Sequence, residues 1–147
     1  MNLGQMLLVM LAVVLFASVV ITMYNSMAIQ IEMATNNIFY TQGILVADSV
    51  LKRFEAELLT EMLSFADFEA MGNPTPYVVQ PPFVIGDASY IVQFTTRWCG
   101  PNGEVLISPD SSFVLQRCYV TIMYGNATPL VIGDEDEAFR KIHARVN

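Results

Sequence analysis

The chain has 147 residues, of which 54% are apolar and only 14% charged, and its formal net charge is −7. That length holds one domain of ordinary size plus one separate apolar element. Seven Lys and Arg residues are outnumbered by fourteen Asp and Glu and form no cluster, which excludes a phosphate-neutralising, nucleic-acid-binding surface.

The apolar excess sits at the start. Residues 1–31 carry no charge at all; Glu32 is the first ionised side chain and Lys52 the first positive one. Within this stretch residues 6–23 (MLLVMLAVVLFASVVITM) are almost purely apolar. As a helix they span roughly 27 Å, close to the ~30 Å hydrocarbon core of a bilayer. A secretory signal peptide has a basic n-region and a shorter apolar run. Here the run is preceded by Met-Asn-Leu-Gly-Gln, so either a leader was removed before Met1 or orientation is set without flanking charge. The segment is a membrane span or the core of an assembly of many copies.

The first proline is Pro74, and the only glycines before Gly72 are Gly4 and Gly43, so a single helix is expected from Leu3 to about Ala66. Its second half is amphipathic: Ala47, Leu51, Phe54, Leu58, Met62 and Phe65 recur at three- and four-residue steps, with Lys52, Arg53, Glu55, Glu57 and Glu61 mostly on other faces. The polar stretches at residues 35–37 and 41–43 are the weakest helical part and the expected place for a bend. A helix of about 65 residues would be roughly 100 Å long, which implies packing against other chains.

Residues 71–76 (MGNPTP) end the helix with turn formers. Strands follow at residues 77–79, 83–85, 90–99, 104–108 and 112–124, the longer ones alternating apolar with polar. The turns Gly100-Pro-Asn-Gly103 and Ser108-Pro-Asp-Ser111 make this an antiparallel meander with one buried face. The last segment, residues 133–146, reads as a short docked helix, acidic at its start, basic at its end, with Phe139, Ile142 and Val146 on one edge. The expected class is therefore α+β: a long helix packed on a small antiparallel sheet, closed by a short C-terminal helix. Residues 1–31 form the membrane-spanning or assembly-core helix, 32–71 its amphipathic continuation, and 72–147 a β-rich head.

Two cysteines, Cys99 and Cys118, fall in the strand region. The even count in a chain with an export-like segment favours a disulfide over two buried thiols, and closing that loop would add about 3 kcal/mol. No Cys-x-x-Cys or Cys/His cluster indicates a metal.

The long helix that begins apolar and turns amphipathic, followed by a small sheet, resembles the type IV pilin family and its pseudopilin relatives. Members open on an aromatic residue or Met, then Thr-Leu-Ile-Glu-Leu and an apolar run. Here Met1-Asn-Leu-Gly-Gln-Met-Leu-Leu-Val-Met10 places Leu3 and the run from Met6 in register, with Gln5 where the family has glutamate. The resemblance covers the whole chain as architecture and about 25 residues as sequence. It implies that Met1, Gln5, Leu8, Val14, Phe16 and Ala17 lie in a packed bundle of N-terminal helices. In the family the glutamate pairs with a neighbour's amine. A neutral amide keeps two donors and an acceptor at lower desolvation cost, so Gln5 is expected to hydrogen-bond a neighbouring terminus or backbone group. The family's helix-melting proline about twenty residues in is absent, that region being Val19-Val-Ile-Thr-Met23.

The resemblance implies a structural subunit of an extracellular filament: a homopolymer whose precursor waits in the membrane and is handled by a pilus assembly machinery. The alternative is a membrane-anchored minor pseudopilin or a single-span binding module of a secretion machine. No cofactor is implied. An enzyme is disfavoured, since the one histidine, His143, falls in the terminal segment and no phosphate loop, nucleophile elbow or metal motif is present. Asn126-Ala-Thr128 is a glycosylation sequon on an expected surface loop.

Overall fold

A computed structural model describes residues 2–106, 112–125, 128–133 and 139–145. The chain forms two compact units, residues 1–39 and 40–147, and one helix, α1 (Leu3–Leu59), contributes to both. The class is α+β, as expected, with a long N-terminal helix and an antiparallel sheet.

In the second unit the sheet is built on two twelve-residue strands, β3 (Ala88–Cys99) and β4 (Phe113–Tyr124), paired along their whole length. The short strands β1 (Tyr77–Val78) and β2 (Phe83–Ile85) share the far edge of β3, while β5 (Leu130–Ile132) and β6 (Phe139–Ala144) share the far edge of β4. The strict alternation read in the sequence places Tyr90, Val92 and Phe94 of β3 and Cys118, Val120 and Ile122 of β4 on one buried face.

About three turns of α1, from Gly43 to Phe54, cover that face. Gly43, Val46, Ala47, Val50, Leu51 and Phe54 are its buried residues, so the stripe starts at the presumed weak point and not beyond it. Gly43 is there for close approach: a Cβ would lie 2.6 Å from the Ile132 Cδ1 and 3.1 Å from the Ile122 Cδ1. An aromatic cluster joins the elements. Phe94 of β3 meets Phe54 of α1 edge-on at 4.8 Å and Tyr77 of β1 at 5.1 Å. Phe68 packs on Phe54 at 5.8 Å and on Phe94 at 6.1 Å. Tyr90 donates its hydroxyl to Gln42 Oε1.

The helix stops earlier than the sequence suggests. After Leu59, Thr60 turns its hydroxyl back onto the Ala56 carbonyl at 2.7 Å, and Glu61 adopts φ 56°. The Glu61 N–H then bonds the Leu58 carbonyl and the Leu63 N–H the Glu57 carbonyl, a left-handed C-terminal cap that reverses the chain. A separate helix, α2 (Phe65–Met71), follows, capped by Ser64, whose hydroxyl accepts from the Asp67 N–H at 3.1 Å. Thus Met62, expected on the buried stripe, is 84% exposed. Gly72, at the end of α2, is pressed onto β3: its carbonyl accepts from the Thr96 N–H, and a Cβ would lie 2.5 Å from that nitrogen.

Three further expectations are corrected. The C-terminal segment is a strand: β6 pairs with Phe113–Cys118 over six positions, with Phe139, Lys141 and His143 on the helix side and Arg140, Ile142 and Ala144 on the other. The open edge of a twelve-residue β4 offers unpaired backbone groups that outweigh the local helix signals. The expected strand at residues 104–108 is only a bridge from Val105 to Cys99; residues 107–111 lie outside the described residues, as do Asn126 of the sequon and Met1. The cysteines form no disulfide. Cys118 stands opposite Phe94 on the helix side, whereas Cys99 lies five ladder positions further on, about 17 Å away. An odd step along a strand also places Cys99 on the other side of the sheet.

Both thiols are fully buried, and burial pushes Cys118 up to about 12 and raises Cys99 as well, with Glu104 adding to the latter. Folded protein without reductant is therefore expected to resist maleimide at neutral pH and to take up two equivalents once denatured; mass spectrometry that found no uptake would restore the disulfide. Replacing Gly72 by Ala should destabilise the second unit by about 1–3 kcal/mol, since the displaced atoms are backbone, as read by urea unfolding through Trp98 fluorescence.

Candidate functional site

In the first unit every residue from Asn2 to Ala34 is exposed in the single chain, including Leu8 at 68%, Val14 at 65% and Phe16 at 72%. At 100° per residue, Leu8, Val14, Phe16 and Ala17 point in four different directions, so no single seam gathers them. A helix apolar on all sides is suited to a surrounding apolar phase, not to one partner face. It is long and apolar enough to cross a membrane. Within residues 6–23 the hydroxyls are already satisfied: Ser18 donates to the Leu15 carbonyl and Thr22 to the Ser18 carbonyl, each at 2.8 Å. A span with internally bonded hydroxyls leaves no donor exposed to lipid.

Gln5 is engaged within its own chain. Its Oε1 accepts from the Asn2 N–H at 3.3 Å, while the Asn2 carbonyl accepts from the N–H groups of Gln5 and Met6. This is the reach-back half of a capping box, with Asn2 as N-cap and Gln5 at the third helical position. The amide nitrogen of Gln5 makes no hydrogen bond among the described residues and is available to a neighbour.

In the second unit the ends of α1 and β6 enclose a groove of about 750 Å³. Leu58, Leu59, Leu63 and Phe65 form one wall, and Ile142, His143 and Arg145 belong to the other. Glu55, on the groove's lining, forms an ion pair with Lys141 of β6, and that hydrogen bond holds the Glu55 carboxyl below its usual range. Beside it His143, expected in a terminal helix, is only 6% exposed on β6, with Nε2 2.9 Å from Gln116 Oε1 and its ring edge-on to Phe68 at 5.1 Å. It acts as a buried packing residue. The far side of the sheet carries Arg97, Arg117 and Arg140, with Arg117 directly opposite Arg140 in the ladder.

No group of three or more His, Cys, Asp or Glu that could hold a metal ion occurs among the described residues. The groove, the His143–Gln116 contact and the arginine face all depend on which strand pairs with β4. The one sequence signal that could have located the groove is Ser64-Phe-Ala-Asp67, a capping pattern that marks a second helix start. Comparisons with protein-family models, with curated proteins and with solved structures find no match to this chain.

Burial lowers the His143 imidazole from an ordinary 6.5 to about 4, with Lys141 adding to the shift and Glu55 opposing it. The unfolded chain therefore takes up that proton first. Its contribution to stability is fully present above about pH 6.5 and is lost as the pH falls toward 4, about 3 kcal/mol in all. The expected outcome is a smaller loss of unfolding free energy between about pH 7.5 and pH 4 in His143→Gln than in wild type; equal losses would show that this imidazole is not buried neutral.

Proposed function

We propose that this chain is the structural subunit of a type IV pilus-like filament at the cell surface, held in the membrane by residues 6–23 before assembly. The observation that carries the reading is the helix exposed on every side from Asn2 to Ala34, uncharged as far as Ile31, with both hydroxyls of residues 6–23 bonded internally. Such a helix is stable in lipid, and it is equally stable among copies of itself. Transfer from lipid to a bundle changes little hydrophobic energy, so packing and a few polar contacts select the assembled state. Small residues Ala12, Ala17, Ser18 and Ala28 permit close approach, and the free amide of Gln5 supplies a donor near the helix start. The sequence resemblance to pilins supports the same reading, as does the α+β architecture.

The groove between α1 and β6 favours a second reading, a membrane-anchored minor subunit or binding module whose head takes a ligand. A groove of about 750 Å³ is of ligand-binding size. A chain of this kind would remain membrane-bound, without filaments.

Substituting Leu8 or Val14 by Asp is expected to abolish filaments sheared from cells, seen by electron microscopy, while Trp98 fluorescence still reports a folded head. Leu8→Ala, which keeps the segment apolar, is expected to stay in the membrane fraction and to assemble at least tenfold less, separating lost packing from lost insertion. Filaments persisting with either Asp substitution would overturn the proposal.

A further inference from the structure

One edge of the sheet is open beside the groove. β6 pairs with β4 on one side, and no strand among the described residues pairs with its other side. The Arg145 N–H donates to the Ser112 carbonyl at 2.8 Å, next to the Ala144–Phe113 pair. Hydrogen-bonded and non-bonded pairs alternate along an antiparallel ladder, so His143 and Lys141 also point their backbone groups at β4. Ile142 and Ala144 therefore turn N–H and C=O outward, away from β4. Backbone groups left in this way are a template for a further strand.

The groove follows that edge. Ile142, His143, Ala144 and Arg145 all line it, although Ile142 and Ala144 carry their side chains on the far side of the sheet and His143 on the helix side. Consecutive residues of alternating side can line one groove only where it runs along the strand's edge. The opposite wall is the reversal of α1 into α2, with Leu58, Leu59, Leu63 and Phe65. The devices that usually discourage edge pairing are missing here: residues 142–144 hold no proline, and Lys141 is drawn onto Glu55. Two charges of the lining, Glu61 and Arg145, make no ion pair among the described residues.

We infer that β6 takes up an extended peptide segment of another protein as a further strand of the sheet. The backbone of that segment bonds Ile142 and Ala144, and its apolar side chains, at alternate positions, meet the wall of residues 58–65. An acidic residue faces Arg145 and a basic one faces Glu61. The outward groups of Ile142 and Ala144 recur at about 7 Å, two residues along a strand, which is the repeat of an extended chain. The wall beside the edge leaves room for one such chain and not for the covered sheet of a second head. The inference names the class of ligand for the groove described above, and it holds whether the chain polymerises or stays a single-span anchor.

The test uses the full-length chain in phosphatidylcholine nanodiscs, which shield the apolar helix without a detergent to fill the groove. A random library of peptides about nine residues long, the length of a strand, is selected against it. Peptides with apolar residues at alternate positions and an acidic residue to one side of them are expected to be enriched. Methylating the backbone nitrogens of a selected peptide one at a time should weaken binding about tenfold at every second position and leave it unchanged between them. Ala144→Pro removes an outward N–H without touching the β4 ladder and should also weaken binding about tenfold. Arg145→Glu should select peptides with a basic residue in place of the acidic one. No enrichment over empty nanodiscs, binding indifferent to methylation, or unchanged affinity in Ala144→Pro overturns the inference. Association of two copies that Ala144→Pro abolishes, with no peptide selected, would assign the edge to a second copy and overturn it as well. Maleimide protection of Cys99 and Cys118 checks that each variant is folded. Filament loss in the Leu8 and Val14 variants is read without peptide, and peptide binding in nanodiscs without filaments, so either can fail without the other.

Discussion

The structure depends on keeping water away from the first half of α1. Fourteen large apolar side chains between Met6 and Met23 are exposed in the single chain. At about 2 kcal/mol each their burial is worth on the order of 30 kcal/mol. A domain of this size is stable by only about 5–15 kcal/mol. No rearrangement of the rest of the chain could offset exposure on that scale, so the segment exists in lipid or among other helices. Its chemistry is arranged for either: no charge before Glu32, hydroxyls turned onto the backbone, and an N-terminus capped by Asn2 and Gln5.

The second unit solves a different problem. Its sheet has one face to cover and only twenty residues of α1, Tyr40–Leu59, plus one short helix with which to cover it. Gly43 allows the helix backbone close to Ile122 and Ile132, and the aromatic group of Phe54, Phe68, Phe94 and Tyr77 fills the wider end. The reversal at Glu61 lets α2 return across Thr96, whose hydroxyl bonds the Glu69 carbonyl at 2.7 Å. Ending α1 at Leu59 therefore leaves the groove beside β6. The same chain reversal that completes the core also creates the features available to a ligand or a second copy.

Much of this was legible in the sequence. The long helix, its change of character, strands β2, β3 and β4 and the buried faces of β3 and β4 all follow from strong periodicity. What was not legible depends on tertiary pairing. Residues 139–144 satisfy a helical spacing through Phe139 and Ile142 and a strand spacing through Phe139, Lys141 and His143, and only the open edge of β4 decides between them. The disulfide expectation rested on counting cysteines; register, which a sequence does not display, puts them on opposite sides of the sheet. Glu61 in a glycine position carried no sequence signal at all. For the first unit the exposed apolar surface was legible completely, because it is a property of composition alone. Leu8, Val14, Phe16 and Ala17, singled out for packing, share no face and are all exposed in the single chain.

In the proposed assembly, moving from lipid to a bundle leaves the hydrophobic term nearly unchanged, so the free energy that drives and directs polymerisation has to reside elsewhere. Packing among small residues contributes, but an apolar cylinder with no preferred face specifies neither register nor direction. In that assembly both have to come from contacts of the second unit, whose surface is fixed by its sheet. The ion pairs Asp48–Lys52, Arg53–Glu57 and Glu55–Lys141 are closed within the chain. Beyond them, Arg145 lines the same groove as Glu61, while Arg97 and Arg117 lie on the far side of the sheet. In that assembly an apolar helix that accepts any neighbour needs a head that limits the orientation before the polymer has a direction.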